Sequence, residues 1–351
     1  MRVTRRSLND EAGVSAVLIV LAMTFLLGMV SLSVDGGFLF LKRRALVNAN
    51  DAASLAAALS CAEKAGQGAA DAQADLLAVS NVPNATRFAA PAYTPSCTAP
   101  SGKVTVTYQA NQPLFFSQVV GVSSPKVVRA QSTATWGAAG AAADLVPLML
   151  SSNGGLGNCD IPVNVVVGQH CKFWWDNDLI SNAQWGILDV MRGWDVARTG
   201  SCTGNLSAND VKQLIAGTMS AGTLSMREPP PTYACVSSGF QGNSLTNGIT
   251  TYRGKLVVMP VNDAFQQVTS SGALCPPGST CTVGKYAIIG FATLEIYDAA
   301  QGQQAKTLCP GHTGNNGSVR CLDLIWRGYQ SGGLTPGGGT NFGTVAVTLS
   351  G

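Results

Sequence analysis

An apolar run extends from residue 14 to residue 34, and no charged side chain falls within it. A helix of that length is about 31 Å long, which matches the hydrocarbon core of a bilayer. The run is longer than the apolar core of a cleaved signal peptide, and no small-residue cleavage site follows it closely. It is also longer than most uncharged core helices of soluble proteins. We therefore predict a retained transmembrane helix at 14–34, with residues 1–13 as a cytoplasmic tail.

The helical pattern continues past this run as a narrow stripe of apolar and small residues at steps of three and four. The stripe predicts that the same helix reaches about Cys61. Small residues let a second helix approach closely, and they equally suit packing on the protein's own globular part. The sequence leaves both interpretations open. The stripe consists of Phe38, Leu41, Ala45, Ala49, Ala52, Ala56 and Leu59.

The segment that follows has the pattern of a small α+β unit. Its predicted elements are a helix at 69–79, strands at 103–108 and 127–136, and a short apolar helix at 114–121 between the strands. Prolines between 83 and 100 predict a loop there. We predict a stalk helix with an α+β domain over 35–136, followed by a Gly/Ala linker at 137–143.

The remaining residues, 144–351, are predicted to form a β-dominated domain. Its expected strands are 145–150, 256–259, 286–297 with a bulge at Gly290, 321–327 and 344–349, the last two closing the sheet of this domain. A capping-box-like start at Ser207 predicts a short helix to about Ala216. The fold class is therefore α+β, with a long N-terminal helix and two units after it.

The cysteines indicate on which side of the membrane the residues after the apolar run lie. All ten follow the apolar run, their number is even, and no C-x-x-C pair occurs. Only two histidines are present. This usage is typical of disulfides in an oxidising compartment, so we expect residues beyond the anchor to be extracytoplasmic. Lys and Arg are balanced on the two sides of the run and do not fix its orientation. A net charge of +3 with 12% charged residues gives no indication of nucleic-acid binding.

Three blocks carry a resemblance to a known family. The first joins Asn9-Asp-Glu-Ala-Gly13, the apolar run, Val34-Asp35-Gly36-Gly37, the basic cluster Lys42-Arg43-Arg44 and Asn48-Ala-Asn-Asp51. The second joins 104–108 with 115–121 and the strand at 127–134, and the third joins 256–260 with 286–292. The order of these blocks resembles the Flp pilus-assembly TadE/TadG-like proteins of bacterial tight-adherence loci. It covers about half of the chain, and residues 150–250 are not matched.

The resemblance implies a single-pass protein of the cytoplasmic (inner) membrane, associated with pili, in which a pilin-like α+β head follows the stalk. It implies a minor-pilin-like role in Flp pilus assembly and surface attachment, with other Tad components and pilins as partners. It implies no catalysis and no cofactor. The assembly motif that it suggests at the membrane exit comprises Asp35, Gly36, Gly37, Lys42, Arg43, Arg44, Asn48 and Asp51.

The chain departs from the family pattern at two places. Ser151-Ser-Asn-Gly154 stands where a von Willebrand A domain would have Asp-x-Ser-x-Ser, so a metal-dependent adhesion site is not expected. Prepilins of this type have glutamate five residues after the cleavage-site glycine, whereas Leu18 follows Gly13 at that spacing. Processing by a prepilin peptidase is therefore not predicted.

Asp35 is the first charged residue after the apolar run. A carboxylate at that level must reach water or a partner. We consider two interpretations: pairing with Lys42, Arg43 or a neighbouring subunit, and a simple end to the apolar segment.

An alternative function is that of an adhesin that binds sugar or matrix. Tryptophans cluster beside acidic residues at Trp174, Trp175, Asp176, Asn177, Asp178, Trp185 and Trp194. The spacing does not fit an EF-hand loop, which needs glycine at its sixth position and glutamate at its twelfth. We expect the tryptophans to pack in a core beside disulfides. His170 and His312 are isolated, a metal site at His170 with Cys159 and Cys171 fits less well than disulfides, and no hydrolase or phosphate-binding motif occurs.

Disulfide connectivity does not follow from sequence alone. Pairing each cysteine with its neighbour along the chain gives a hypothesis in which the first bridge ties the end of the stalk to the head. The hypothetical pairs are Cys61–Cys97, Cys159–Cys171, Cys202–Cys235, Cys275–Cys281 and Cys309–Cys321.

Overall fold

A computed structural model describes residues 11–143, 145–152, 159–161, 164–175, 185–188, 208–215, 218–219, 222–226, 231–235, 248–269, 275–276, 283–311, 320–337 and 340–350. These residues form a long N-terminal helix and a remainder dominated by β-sheet, so the fold is α+β. The helices are α1 (Glu11–Ala62), α2 (Gln67–Asn81), the 3-10 helix η1 (Ser117–Val120), α3 (Ala208–Ile215) and α4 (Gly302–Leu308).

The strands are numbered in chain order. They are β1 (Thr86–Thr94), β2 (Gly102–Gln112), β3 (Lys126–Ala143), β4 (Leu148–Ser151), β5 (His170–Trp175), β6 (Trp185–Ile187), β7 (Thr223–Ser225), β8 (Thr232–Cys235), β9 (Leu256–Val268), β10 (Val283–Gln301), β11 (Arg320–Trp326), β12 (Gln330–Ser331), β13 (Thr335–Pro336), β14 (Thr340–Asn341) and β15 (Thr344–Leu349). The first sheet has the order β1-β2-β3-β15-β12, and the second has the order β5-β11-β10-β9-β4-β6.

Helix α1 runs unbroken from the apolar run into the head, the unit that α2 and the first sheet form with the C-terminal half of α1. That half of α1 packs on the first sheet. Leu46, Ala49, Ala53 and Ala57 are fully buried against strand residues such as Val104, so this face of the helix packs on the protein's own head. Only Ala49 among them belongs to the predicted stripe, whose members Ala52, Ala56 and Leu59 are half-buried. Phe38, Leu41 and Ala45 of the predicted stripe are exposed instead. The alanines let α2, with buried Ala70, Ala74 and Ala78, approach α1 closely.

The prediction of a loop between 83 and 100 is wrong over β1. This strand pairs antiparallel with β2, and its register shifts between Ala89 and Ala92, the stretch that holds Pro91. Proline lacks an N–H donor, so it is tolerated in an edge strand at an irregularity of this kind. The prolines therefore mark an edge strand with a bulge.

The predicted linker at 137–143 is also strand. It is the second half of β3, and it pairs with β15, β13 and β7. Ala134 and Trp136 lie in the core beneath α1, whereas Ala139 and Ala142 lie in the core of the second sheet. Small side chains suit this position because neighbouring segments approach closely, as at Gly140, where an added Cβ would lie 2.3 Å from the Gly337 oxygen.

The C-terminal strand differs from expectation in its place. Predicted to close the sheet of the second unit, β15 instead pairs antiparallel with β3 in the first sheet, from Val345–Ala138 to Leu349–Ala134. The end of the chain thus returns to the head that α1 builds.

The second sheet is organised by β9 and β10, which pair antiparallel over most of their lengths. The predicted bulge is present, because the register shifts between Ile288 and Gly290. Glycine is required there: an added Cβ would lie 2.2 Å from the Thr340 oxygen of the parallel strand β14. The predicted helix from Ser207 matches α3, which begins at Ala208.

Three disulfides join described cysteines: Cys61–Cys97, Cys159–Cys171 and Cys309–Cys321. These are the three hypothetical pairs in which both cysteines are described. Cys235 and Cys275 are disulfide-bonded as well. Cys202 and Cys281, proposed as their partners, lie outside the described residues.

Candidate assembly site at the base of the N-terminal helix

The N-terminal half of α1 projects from the folded head with its apolar side chains exposed. Among the described residues, one helix is long and apolar enough to cross a membrane, and it spans Val14–Ala62. None of its most apolar stretch is buried in the protein. Exposure of so many large apolar side chains in water is unfavourable, which is consistent with single-pass anchoring of this segment.

Asp35, directly after the apolar run, is buried, with 2% of its surface exposed. Its carboxylate accepts hydrogen bonds from the backbone N–H groups of Phe115 at 2.9 Å, Phe116 at 3.1 Å and Ser117 at 2.6 Å. The Ser117 hydroxyl donates a further hydrogen bond to the same carboxylate. Asp35 therefore caps the N-terminus of η1, where free N–H groups favour a negative charge.

Within the chain, this arrangement corrects the interpretation that Asp35 pairs with Lys42 or Arg43, whereas pairing with a neighbouring subunit stays a prediction. The carboxylate reaches the loop between β2 and β3, not Lys42 or Arg43, and Asp35 does more than end the apolar segment. Lys42 lies seven positions after Asp35 on the helix, a rise of about 10 Å, and side chains on a helix meet at spacings of three and four.

Gly36 and Gly37 leave an open surface on the helix at the same level. Both are exposed, and an added Cβ at either position would meet nothing within 4 Å. Their lack of a side chain is therefore not needed for packing within this chain. A helix surface without side chains permits close approach of another helix.

The other predicted motif residues lie further along α1. Lys42 and Asp51 are half-buried, whereas Arg43, Arg44 and Asn48 are exposed. The structure thus places the basic cluster at the surface just beyond the membrane exit.

A motif residue that the sequence analysis missed is Asn50. It is fully buried; its side-chain oxygen accepts a hydrogen bond from the Tyr108 N–H at 3.0 Å, and its side-chain nitrogen donates to the Leu46 carbonyl at 2.7 Å. One turn on, the hydroxyls of Ser54 and Ser132 lie 3.2 Å apart. A polar residue four positions after Leu46 and three before Ala53 is the signal that would have revealed this role.

A second polar network fixes α2 to the sheet. Arg87 donates to the Asp75 carboxylate at 2.5 Å, the Tyr108 hydroxyl donates to the same carboxylate at 2.7 Å, and the Tyr93 hydroxyl donates to Asp71 at 2.6 Å. Burial and these hydrogen bonds to carboxylates raise the pKa of Tyr93 and of Tyr108 above the ordinary value. Together with α1, these contacts hold the head as a packed unit.

The candidate residues of the C-terminal domain have structural surroundings where they are described. Trp174 packs, half-buried, against the cluster that contains the Cys309–Cys321 disulfide. His170 and Asp323 form a hydrogen bond of 3.0 Å, and burial raises the pKa of the Asp323 carboxyl, an increase that the contact with His170 partly offsets. Cys159 and Cys171 are bonded to each other, so they offer no thiolate to a metal. His312, Asp176, Asn177, Asp178 and Trp194 lie outside the described residues.

A comparison with known families finds a match on α1. The family model described as Flp pilus-assembly TadE/G-like matches residues 13–62, which agrees with the resemblance seen in the sequence. The match begins just before the apolar run, ends at the last residue of α1 and includes every residue of the assembly motif. No curated protein and no solved structure matches the chain.

Proposed function

We propose that this chain is a membrane-anchored, minor-pilin-like component of a bacterial Flp (Tad) pilus assembly system, which acts by protein–protein contacts in pilus biogenesis and surface attachment. One observation carries the proposal: the family match at 13–62 coincides with α1, whose first half is exposed and apolar and whose second half packs one face against the head.

The geometry suits a subunit that transmits position from the membrane to its head. Contacts connect α1 to the head along the whole part of the helix that follows the apolar run. They are the hydrogen bonds of Asp35, Asn50 and Ser54 and the disulfide of Cys61. A neighbouring subunit that binds the helix at Gly36 and Gly37 would thereby orient the head as well.

Disulfides support an extracytoplasmic location for the residues beyond the anchor, because such bonds persist in oxidising compartments. Bonded cysteines lie beside both sheets: Cys61, at the end of α1, packs with the first sheet, and Cys321 lies in β11 of the second sheet. The proposal gives the chain a binding role and no catalytic step.

The adhesin alternative has no specific observation in its favour. Trp174, the one member of the tryptophan cluster whose side chain is described, is half-buried beside a disulfide, as core packing requires. A sugar-binding platform would need its aromatic face open to the ligand.

The proposal is tested by fractionating cells that make the tagged full chain into membranes and sheared filaments, with mass spectrometry of the mature N-terminus. We expect the chain in membranes, with its head open to protease added outside the cytoplasm, and in filaments at low abundance. An intact N-terminus found only in membranes would redefine the chain as an assembly factor. Recovery from the soluble cytoplasm would contradict the proposal.

A further inference from the structure

The loop at 113–125 between β2 and β3 carries an apolar surface beside the membrane exit. None of its residues is charged. Leu114 is buried and holds the loop to the head, whereas Phe115 is 62% exposed and Phe116 is 39% exposed. Exposed phenylalanines on a structured, uncharged loop call for a partner that is apolar.

The position of this loop along α1 is fixed by Asp35. Because its carboxylate binds three successive N–H groups of the loop, Phe115 and Phe116 lie level with the first turn after the apolar run. The Phe115 ring packs against Phe38, with ring centroids 5.7 Å apart. Phe38 comes four residues after Val34, about 6 Å along the helix, and the headgroup layer of a bilayer is about 5–8 Å thick.

We propose that the 113–125 loop is a second membrane contact, which inserts Phe115 and Phe116 into the lipid interface beside the transmembrane helix. The inference rests on the membrane anchoring in the proposed function. The loop and the helix together would fix the tilt and the height of the head above the bilayer, which a single helix does not do.

Lipid is favoured over a protein partner by continuity and charge. The loop is joined to the residue that directly follows Val34, so an anchored helix necessarily brings both rings to the bilayer surface. Hydrogen bonds to Asp35 satisfy the carboxylate and the N–H groups of the loop, which lowers the cost of placing them near lipid. Phenylalanine side chains insert favourably about 5–10 Å deep at the boundary between headgroups and acyl chains.

The test places a photo-crosslinking benzoyl-phenylalanine at Phe115 or Phe116 in the full chain, reconstituted in phosphatidylethanolamine–phosphatidylglycerol vesicles. The same analogue at Phe25, in the exposed apolar run, reports anchoring. The same analogue at Phe88 is the negative control, because Phe88 lies far from the membrane exit. Its neighbour Arg87 is paired with Tyr108 in the sheet, and the Tyr108 N–H binds Asn50. Asn50 lies about 22 Å along α1 from Asp35.

We expect a mass increase of one phospholipid at positions 25, 115 and 116, and none at position 88. Lipid adducts at 25 without adducts at 115 and 116 would overturn this inference and leave the anchoring intact. Absence of adducts at 25 would overturn the anchoring and the inference together. Crosslinks from 115 and 116 to a second copy of the chain, in place of lipid, would show a protein interface and overturn the lipid contact.

Discussion

The carboxylate of Asp35 accepts hydrogen bonds from both the N–H group and the hydroxyl of Ser117, a residue 82 positions further along the chain. One of these residues directly follows the apolar run, and the other lies in the loop that joins β2 to β3. The contact therefore fixes the junction between the membrane helix and the head.

Replacing Asp35 by Ala should release this junction. Phe116 and Ser117 would lose their acceptor, so hydrogen exchange at their amides should accelerate, and the melting temperature should fall. Asp35→Asn should have a smaller effect, because one side-chain oxygen remains as an acceptor. Hydrogen exchange with mass spectrometry on the detergent-solubilised chain measures both.

Glu63→Gln is the matched control, since Glu63 is an exposed carboxylate in the turn directly after the same helix. It should leave exchange in the loop unchanged. Equal exchange in Asp35→Ala and the unmodified chain would show that the carboxylate does not order the loop.

Asn50 and Asn48 provide a comparison within one motif. Asn50→Ala should destabilise the head by about 1–3 kcal/mol, because it leaves the buried Tyr108 N–H without an acceptor. Asn48 is exposed, so Asn48→Ala should change stability by no more than about 0.5 kcal/mol. Denaturant unfolding of the two variants decides the matter, and equal stabilities would exclude the structural role of Asn50.

Alkaline pH should weaken the attachment of α2. The folded-state pKa values of Tyr93 and Tyr108 lie above the ordinary value of 10.0, so the folded state holds these protons more tightly than the unfolded state. The resulting stabilisation is fully present below pH 10.0 and is lost as the pH rises through the higher folded-state values.

Phenolate absorbance during an alkaline titration should therefore show a late phase that accompanies unfolding. Tyr108→Phe should reduce that phase and should cost about 1 kcal/mol at neutral pH through the lost hydrogen bond to Asp75. The control Tyr297→Phe removes a half-exposed tyrosine of the second sheet and should leave the late phase in place. Simultaneous ionisation of all phenols well before unfolding would contradict this prediction.

Substitutions of Gly36 should leave folding intact and reveal whether this position takes part in assembly. Gly36→Ala should be tolerated, and it should favour the helix by about 0.5–1 kcal/mol, because an added Cβ meets nothing in this chain. Gly36→Leu should also fold, with the Cys61–Cys97 bridge formed, yet lower the number of pili per cell by blocking close approach of a neighbouring helix.

Gly68→Leu, at an exposed and open glycine of α2, controls for the added bulk. Unchanged pilus numbers in both Gly36→Leu and Gly37→Leu would remove these glycines from the assembly surface.

Local patterns in the sequence predicted much of the fold. The alternation in β2, the long apolar strand β10 and the glycine at its bulge all have signals within a few residues. The helix over the apolar run and its continuation past that run follow from composition and from the lack of proline. In each case the physical cause lies within the element itself.

Distant pairings were beyond the same reasoning. Nothing near Asp35 in the sequence indicates Ser117 as its partner, and nothing in β15 shows that it joins β3 instead of the second sheet. Prolines concealed β1 because an edge strand tolerates what a central strand excludes. The Gly/Ala composition of 137–143 suggested a linker, although small side chains serve equally where neighbouring segments approach closely.

The role in Flp pilus assembly is tested most directly by counting pili per cell, by electron microscopy, in a strain that lacks this chain and in the same strain supplied with it. We expect few or no pili and weak surface attachment without the chain, and recovery of both with the full chain. Normal pilus number and attachment in the deletion strain would contradict the proposed function.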